Sequence, residues 1–287
     1  YPDVQFCHAT GTQAHTKNLK NFHNAFASIY EGRYLAGIAA GMKLNAMIKE
    51  GKFEAKDAKI GYVGAYPYAE VKSGYTAFFL GVRSVCKEAT MEVQFTGSWY
   101  DEAKEKEAAT LLIGRGCKLI SQHADSMGAP TACESAGVPN VSYNGSTLDA
   151  CPNTFIVSSR INWVPYMKYM IECVRDNKAI DTDWCKGINE GAVELTPINE
   201  KVAAPGTAEA IKAAEEQFKA GTLHVFDTAN FTVGGETLTS YMADVDTDEK
   251  FTPDTEVISN GYFHESEKRS APYFDINIDG ITLLNEG

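Results

Sequence analysis

A Trp-Tyr-Asp triplet at residues 99–101 stands between a strand-like run, Met91 to Thr96, and a helical segment that opens at Asp101. Open α/β sheets bind ligands in the crevice beyond the carboxyl ends of their strands, and the triplet falls there. The Trp99 indole offers a flat apolar face for stacking on another ring, and Tyr100 adds a second ring beside it. Asp101 is a residue type suited to a helix N-cap, and Glu102 and Glu105 favour the positive end of the helix dipole. Other positions share this address. Gln122, His123, Asp125 and Ser126 lie at and beyond the end of the strand Cys117 to His123, with donors and acceptors suited to the edge of a polar heterocycle. Asn144 follows the strand Val141 to Tyr143, and Asn162 with Trp163 marks a turn from strand to helix. Tyr66, with Pro67 and Tyr68, follows the strand that starts at Lys59 and makes a rim candidate. Each has a structural alternative: Trp99 as a core ring, Asp125 as a helix cap, Asn144 as an Asx-turn residue, Trp163 as a staple or hinge plug.

Catalytic signatures are missing. The chain carries no GxSxG, no HExxH and no P-loop lysine motif. His8, His15 and His23 cluster in sequence without metal-ligand spacing and read as surface or cap residues. The Glu and Lys alternation from Glu102 to Glu107 reads as a solvated helix face. The seven cysteines form no CxxC pair and read as buried small hydrophobes. No cofactor and no metal is expected.

The elements that must position these residues alternate. Strands are expected at Val4 to His8, Lys59 to Ala65, Met91 to Thr96, Cys117 to His123, Val141 to Asn144 and Phe155 to Ser158. Helices are expected at Leu19 to Lys49, Glu70 to Glu88, Asp101 to Gly114, Ala129 to Ala136 and Trp163 to Lys178. Such alternation with short loops predicts a parallel sheet covered on both faces. Beyond Asp181 the pattern changes, with a strand at Ala192 to Pro197, a helix at Thr207 to Ala220 and a hairpin signal at Gly234-Gly235. The tail from about Asp244 either wraps a lobe or dangles.

Composition narrows the class. At 287 residues, the chain can bury a large α/β core, and a net charge of −12 argues against a nucleic-acid partner. No apolar run approaches the ~20 residues needed to cross a bilayer.

Several segments in order resemble the basic membrane protein family of substrate-binding lipoproteins, the purine nucleoside receptors of ABC importers. They are Ile29-Tyr-Glu-Gly-Arg-Tyr-Leu-Ala-Gly37, Ile60-Gly-Tyr-Val-Gly64, Gly97-Ser-Trp-Tyr-Asp101 with Lys104-Glu-Lys-Glu107, and Leu223-His-Val-Phe226. The resemblance implies a two-lobed α/β fold of the periplasmic-binding-protein type (type I), with the N-terminal part of the first lobe missing from this chain. It implies the remainder of the first lobe at 1–57 and the second lobe at 58–158. A return helix at 159–180, a second-lobe or inter-lobe segment at 181–243 and a tail at 244–287 complete the division. It further implies an extracytoplasmic protein, no enzyme, with an ABC permease as partner and a lipid anchor outside this chain. In its terms, Trp99 takes the place of a stacking ring. Asn144 stands where nucleoside-binding members carry an Asp for ribose, and Asn162 with Trp163 where they carry a nearby Lys. Those departures point to a ligand with little or no sugar. The competing expectations are an enzyme acting on a nucleoside or sugar-like molecule, and a ligand sensor using the same clamp.

Overall fold

The computed structural model describes residues 1–245, 248, 250 and 252–286. Residues 246, 247, 249, 251 and 287 of the expected tail lie outside the described residues. In chain order the strands are β1 (Phe6–Ala9), β2 (Phe22–Ala27), β3 (Lys59–Gly64), β4 (Thr90–Phe95), β5 (Leu119–Gln122), β6 (Asn140–Tyr143), β7 (Phe155–Ile161), β8 (Asp183–Lys186) and β9 (Val193–Leu195). Four two-residue strands follow, β10 (Met242–Ala243), β11 (Thr255–Glu256), β12 (Ile258–Ser259) and β13 (Tyr262–Phe263), and then β14 (Ile281–Leu283). The helices are α1 (Gln13–Thr16), α2 (Ile29–Lys49), α3 (Ala69–Val85), α4 (Glu102–Gly114), α5 (Gly128–Ala136), α6 (Val164–Arg175) and α7 (Thr207–Ala220).

The larger sheet runs β14-β4-β3-β5-β6-β7-β9 and is parallel except where β9 pairs antiparallel with β7. Its central strands are apolar on both faces, as a doubly covered parallel sheet requires. Tyr62, Val93, Leu119 and Val157 pack towards α2 and α3, while Val63 and Ile120 pack towards Leu112 of α4 and Ala129 of α5. The smaller sheet, β1-β2-β8, is parallel and packs with Tyr166 of α6 through Phe26 and Trp184. The chain passes between the sheets at Ser28, at Asn162–Trp163 and across residues 187–192. On the outer side of α6, Val164, Met167, Ile171 and Val174 are exposed. No helix among the described residues is long and apolar enough to cross a membrane.

Three expectations change. The helix expected from Leu19 to Lys49 is a strand followed by a helix, broken at Ser28. Phe22, Asn24 and Phe26 alternate along β2, whose backbone pairs with β1 on one side and β8 on the other. That long-range pairing overrides local helical propensity. The segment 29–57, grouped on sequence with the first lobe, packs against the larger sheet. The reason is a glycine seam: a Cβ on Gly37 of α2 would meet the Phe78 carbonyl oxygen at 2.1 Å, and one on Gly81 of α3 would meet the Tyr34 carbonyl oxygen at 2.0 Å. The two backbones therefore touch, which larger residues forbid. His15 and His23, read as surface or cap residues, are buried. His15 lies 3.3 Å from Asp183, and the His23 ring bonds Gln5 and the Asp181 carbonyl.

The tail wraps. Tyr273, Phe274, Ile276 and Ile278 enter the main core, and β14 pairs with β4 at the edge of the larger sheet. Of the seven cysteines, five are buried, Cys185 is half-buried and Cys7 is exposed.

Candidate functional site

The strand order changes direction at β3, because β4 lies on one side of it and β5 on the other. The connections leaving the carboxyl ends of these strands diverge there and open a crevice. Tyr66 follows β3, Trp99 follows β4, and His123 and Asp125 follow β5. Three hydrogen bonds weld their loops: Gly97 N–H to the Ala65 carbonyl, His123 N–H to Val63, and Asp125 N–H to Trp99, at 2.8–2.9 Å.

The rings gather at this edge. Tyr66 stacks on Tyr68 at 5.1 Å between centroids and meets the Trp99 indole edge-on at 5.5 Å. The His123 ring lies 6.1 Å from Trp99 and 4.9 Å from Tyr143. Trp99 remains 36% exposed, so part of its apolar face is unused by the fold. Tyr100 is more exposed still and makes no ring contact with the group among the described residues. Asn144 has a left-handed backbone (φ 61°), a conformation asparagine tolerates, and its amide donates to Asp125 Oδ1 at 2.9 Å. Trp99, Asp125 and Asn144 are thus joined in one chain of contacts.

Glu105 locks the loop that carries Trp99. Expected on a solvated face, it is fully buried. Its carboxylate accepts from the Asp101 N–H at 3.0 Å and from the Ser126 N–H at 3.1 Å. One side chain therefore ties the loop after β4 to the loop after β5. Burial pushes its carboxyl up, against those hydrogen bonds. Asp101 caps α4 as its residue type predicts, accepting from the Lys104 N–H at 3.0 Å.

Besides Tyr100, three candidates do not join the ring cluster. The Gln122 side chain turns into the sheet, where its oxygen accepts from Asn140 at 2.9 Å. Successive strand residues face opposite ways, so Gln122 and His123 cannot both face the same side. The Asn162 oxygen accepts from the Val164 N–H at 3.1 Å and its amide donates to the Gly191 carbonyl at 3.0 Å, a helix-start role. Trp163 packs on Phe26 and Tyr166, with the smaller sheet.

Sequence reasoning missed Arg33, Glu70 and Tyr143. Arg33 of α2 is 1% exposed. Its guanidinium donates to the Gln122 carbonyl at 3.0 Å and to His123 Nδ1 at 3.1 Å, and its carbon lies 3.4 Å from the Tyr143 ring centre. Burial first, and then the Arg33 charge, hold the His123 pKa below its ordinary value, so the imidazole is neutral near pH 7. The available signal was an arginine inside the otherwise apolar, glycine-rich run Gly32 to Gly41.

Two parallel sheets joined by crossing segments, with an aromatic edge at the strand ends of the larger one, define a ligand-binding protein of the periplasmic-binding-protein type. The ABC transporter substrate-binding protein PnrA-like family matches residues 1–220, and the chain belongs to that family, one of solute-binding proteins. It is 30% identical over 241 residues to a purine-binding protein of Brucella abortus, across 82% of this chain and 65% of that protein. It is 32% identical over 232 residues to a putative ABC transporter glucose-binding protein of Haloferax volcanii, across 80% of this chain and 55% of that protein. The chain thus spans well under the full length of both relatives. An ABC transporter solute-binding protein from Aeropyrum pernix shares the fold at a TM-score of 0.67 and 16% identity, over 82% of this chain and 72% of that one.

Proposed function

We propose that the protein is an extracytoplasmic receptor that binds a purine base or nucleoside between two lobes and delivers it to an ABC permease. The observation that carries this reading is the half-open Trp99 face, backed by Tyr66 and His123 at the switch point of the sheet. Desolvated ring stacking supplies affinity, and polar groups at the ring's edge supply specificity. The name of the Brucella relative agrees with this ligand class. The receptor is held at the membrane by a lipid anchor, needs no cofactor and carries out no chemistry on its ligand. Trp99→Ala is expected to weaken purine binding by roughly 1–3 kcal/mol, the range of base–aromatic stacking, with a smaller loss of thermal stability. A variant that unfolds yet binds normally while folded would show that Trp99 only packs.

Within the ligand class, the free base is preferred over its nucleoside. Asn144 spends its amide on Asp125, and Asn162 spends both its polar atoms on the backbone. Neither supplies the charge-assisted hydrogen bonds to a diol that a carboxylate gives, which are about twice as strong as neutral ones. Calorimetry with guanine, hypoxanthine, adenine and their nucleosides, and with glucose as a control suggested by the Haloferax relative, tests this. Tighter binding of any nucleoside than of its own base rejects the base preference. Tighter binding of glucose than of every purine rejects the ligand class.

A further inference from the structure

The buried trio behind Trp99 has one end that the fold leaves unfinished. Arg33 donates to His123 Nδ1, so that nitrogen carries the lone pair and the ring proton sits on Nε2. His123 is 1% exposed, and its Nε2 has no hydrogen-bond partner. Glu70 Oε1 stands 3.5 Å from it, beyond ordinary hydrogen-bond range. Glu70 sits in the first turn of α3, just after the Tyr66-Pro67-Tyr68 rim, and its side chain keeps 23% of its surface open. A buried N–H that stops short of a half-open carboxylate is costly unless something draws the pair together.

We propose that Glu70 is the specificity-determining acceptor of this site, reading the ring N–H donors of a bound purine, with His123 as its positioning residue. The inference rests on the purine reading above and deepens it. Guanine and hypoxanthine present a ring N–H at their six-membered edge, which a carboxylate accepts strongly. Adenine presents a lone pair there, which a carboxylate repels. His123 links the two groups: its ring centre lies 6.1 Å from that of Trp99, and its Nε2 lies 3.5 Å from the Glu70 carboxylate. Arg33 holds the histidine in the tautomer that points its proton at Glu70. Gly74 leaves room for the His123 ring and Arg33, since a Cβ there would lie 3.1 Å from His123 Nδ1 and 3.6 Å from Arg33 Nε.

Calorimetry of the protein and its variants with guanine, hypoxanthine and adenine tests the assignment. Glu70→Gln is expected to weaken guanine and hypoxanthine about tenfold or more and to leave adenine unchanged or tighter, because the new amide can donate to adenine's lone pair. His123→Ala is expected to lower the guanine-to-adenine affinity ratio, and His123→Gln, which restores a donor near Nε2, to recover part of it. A merely structural change would weaken all three bases alike and leave the ratio fixed. Purine binding by the unaltered protein, with the ratio unmoved by Glu70→Gln, overturns the role of Glu70 alone. Failure of the unaltered protein to bind any of the three bases or their nucleosides overturns the ligand reading and this assignment with it.

Discussion

Gly81→Ala is expected to destabilise the protein by about 2–3 kcal/mol or more, although alanine is the better helix former by about 1 kcal/mol. The added methyl would sit 2.0 Å from the Tyr34 carbonyl oxygen and 2.9 Å from its carbon, both backbone atoms of α2. No rotamer change relieves that contact, so α3 must move away from α2. Moving it loosens Phe78, Phe79 and Leu35, which lie among the most buried side chains of the main core. It also shifts Gly74 and Glu70, which ride on the same helix beside His123. Gly114→Ala is the matched control: that glycine ends α4 and has nothing within 4 Å of where a methyl would stand, so the change should be neutral or stabilising by a few tenths to about 1 kcal/mol. Denaturant melts of the two variants decide the matter. Equal behaviour of the pair rejects the close-contact account.

The second large effect is a pH dependence at Glu31. Its carboxylate is half-buried beside Glu190 and accepts from the Ile188 N–H at 2.7 Å. Burial raises its pKa from 4.5 to about 7, with the Ile188 hydrogen bond opposing and Glu190 adding to the rise. The folded protein therefore holds this proton more tightly than the unfolded chain does. The resulting stability is fully present below about pH 4.5 and is lost as pH rises through 7. Glu31→Gln keeps an acceptor for Ile188 and cannot ionise. Relative to the unaltered protein, the variant should gain up to about 3 kcal/mol between about pH 5 and pH 8. Thermal melts at both pH values read the difference directly. A Tm gap between the two proteins that stays constant with pH would show that Glu31 ionises freely in the folded state.

The misread elements share a cause. β2 was hidden because its apolar residues continue into α2 without a Gly or Pro break, and only pairing with β8, some 160 residues downstream, makes Phe22–Ala27 a strand. Glu105 looked like one of several solvated carboxylates; its burial follows from the approach of the Ser126 loop, which helical spacing does not encode. Gln122 and His123 looked equivalent as polar residues at a strand end. Their neighbours, Asn140 on one face and Arg33 on the other, separate their roles.

The parallel α/β layering, and the edge on which Trp99, Asp125 and Asn144 meet, were legible in the order of residues along the chain. Helix and strand periods are local properties, and parallel strands send all their carboxyl ends to one side, so order along the chain becomes position along that edge. Which polar groups serve that edge from behind was settled by packing in three dimensions. Arg33, Glu70 and His123 come from two helices and a strand end up to 90 residues apart, and their roles depend on side-chain direction, burial and tautomer. Those quantities are fixed by what packs against each group in space, and short sequence windows carry no record of it.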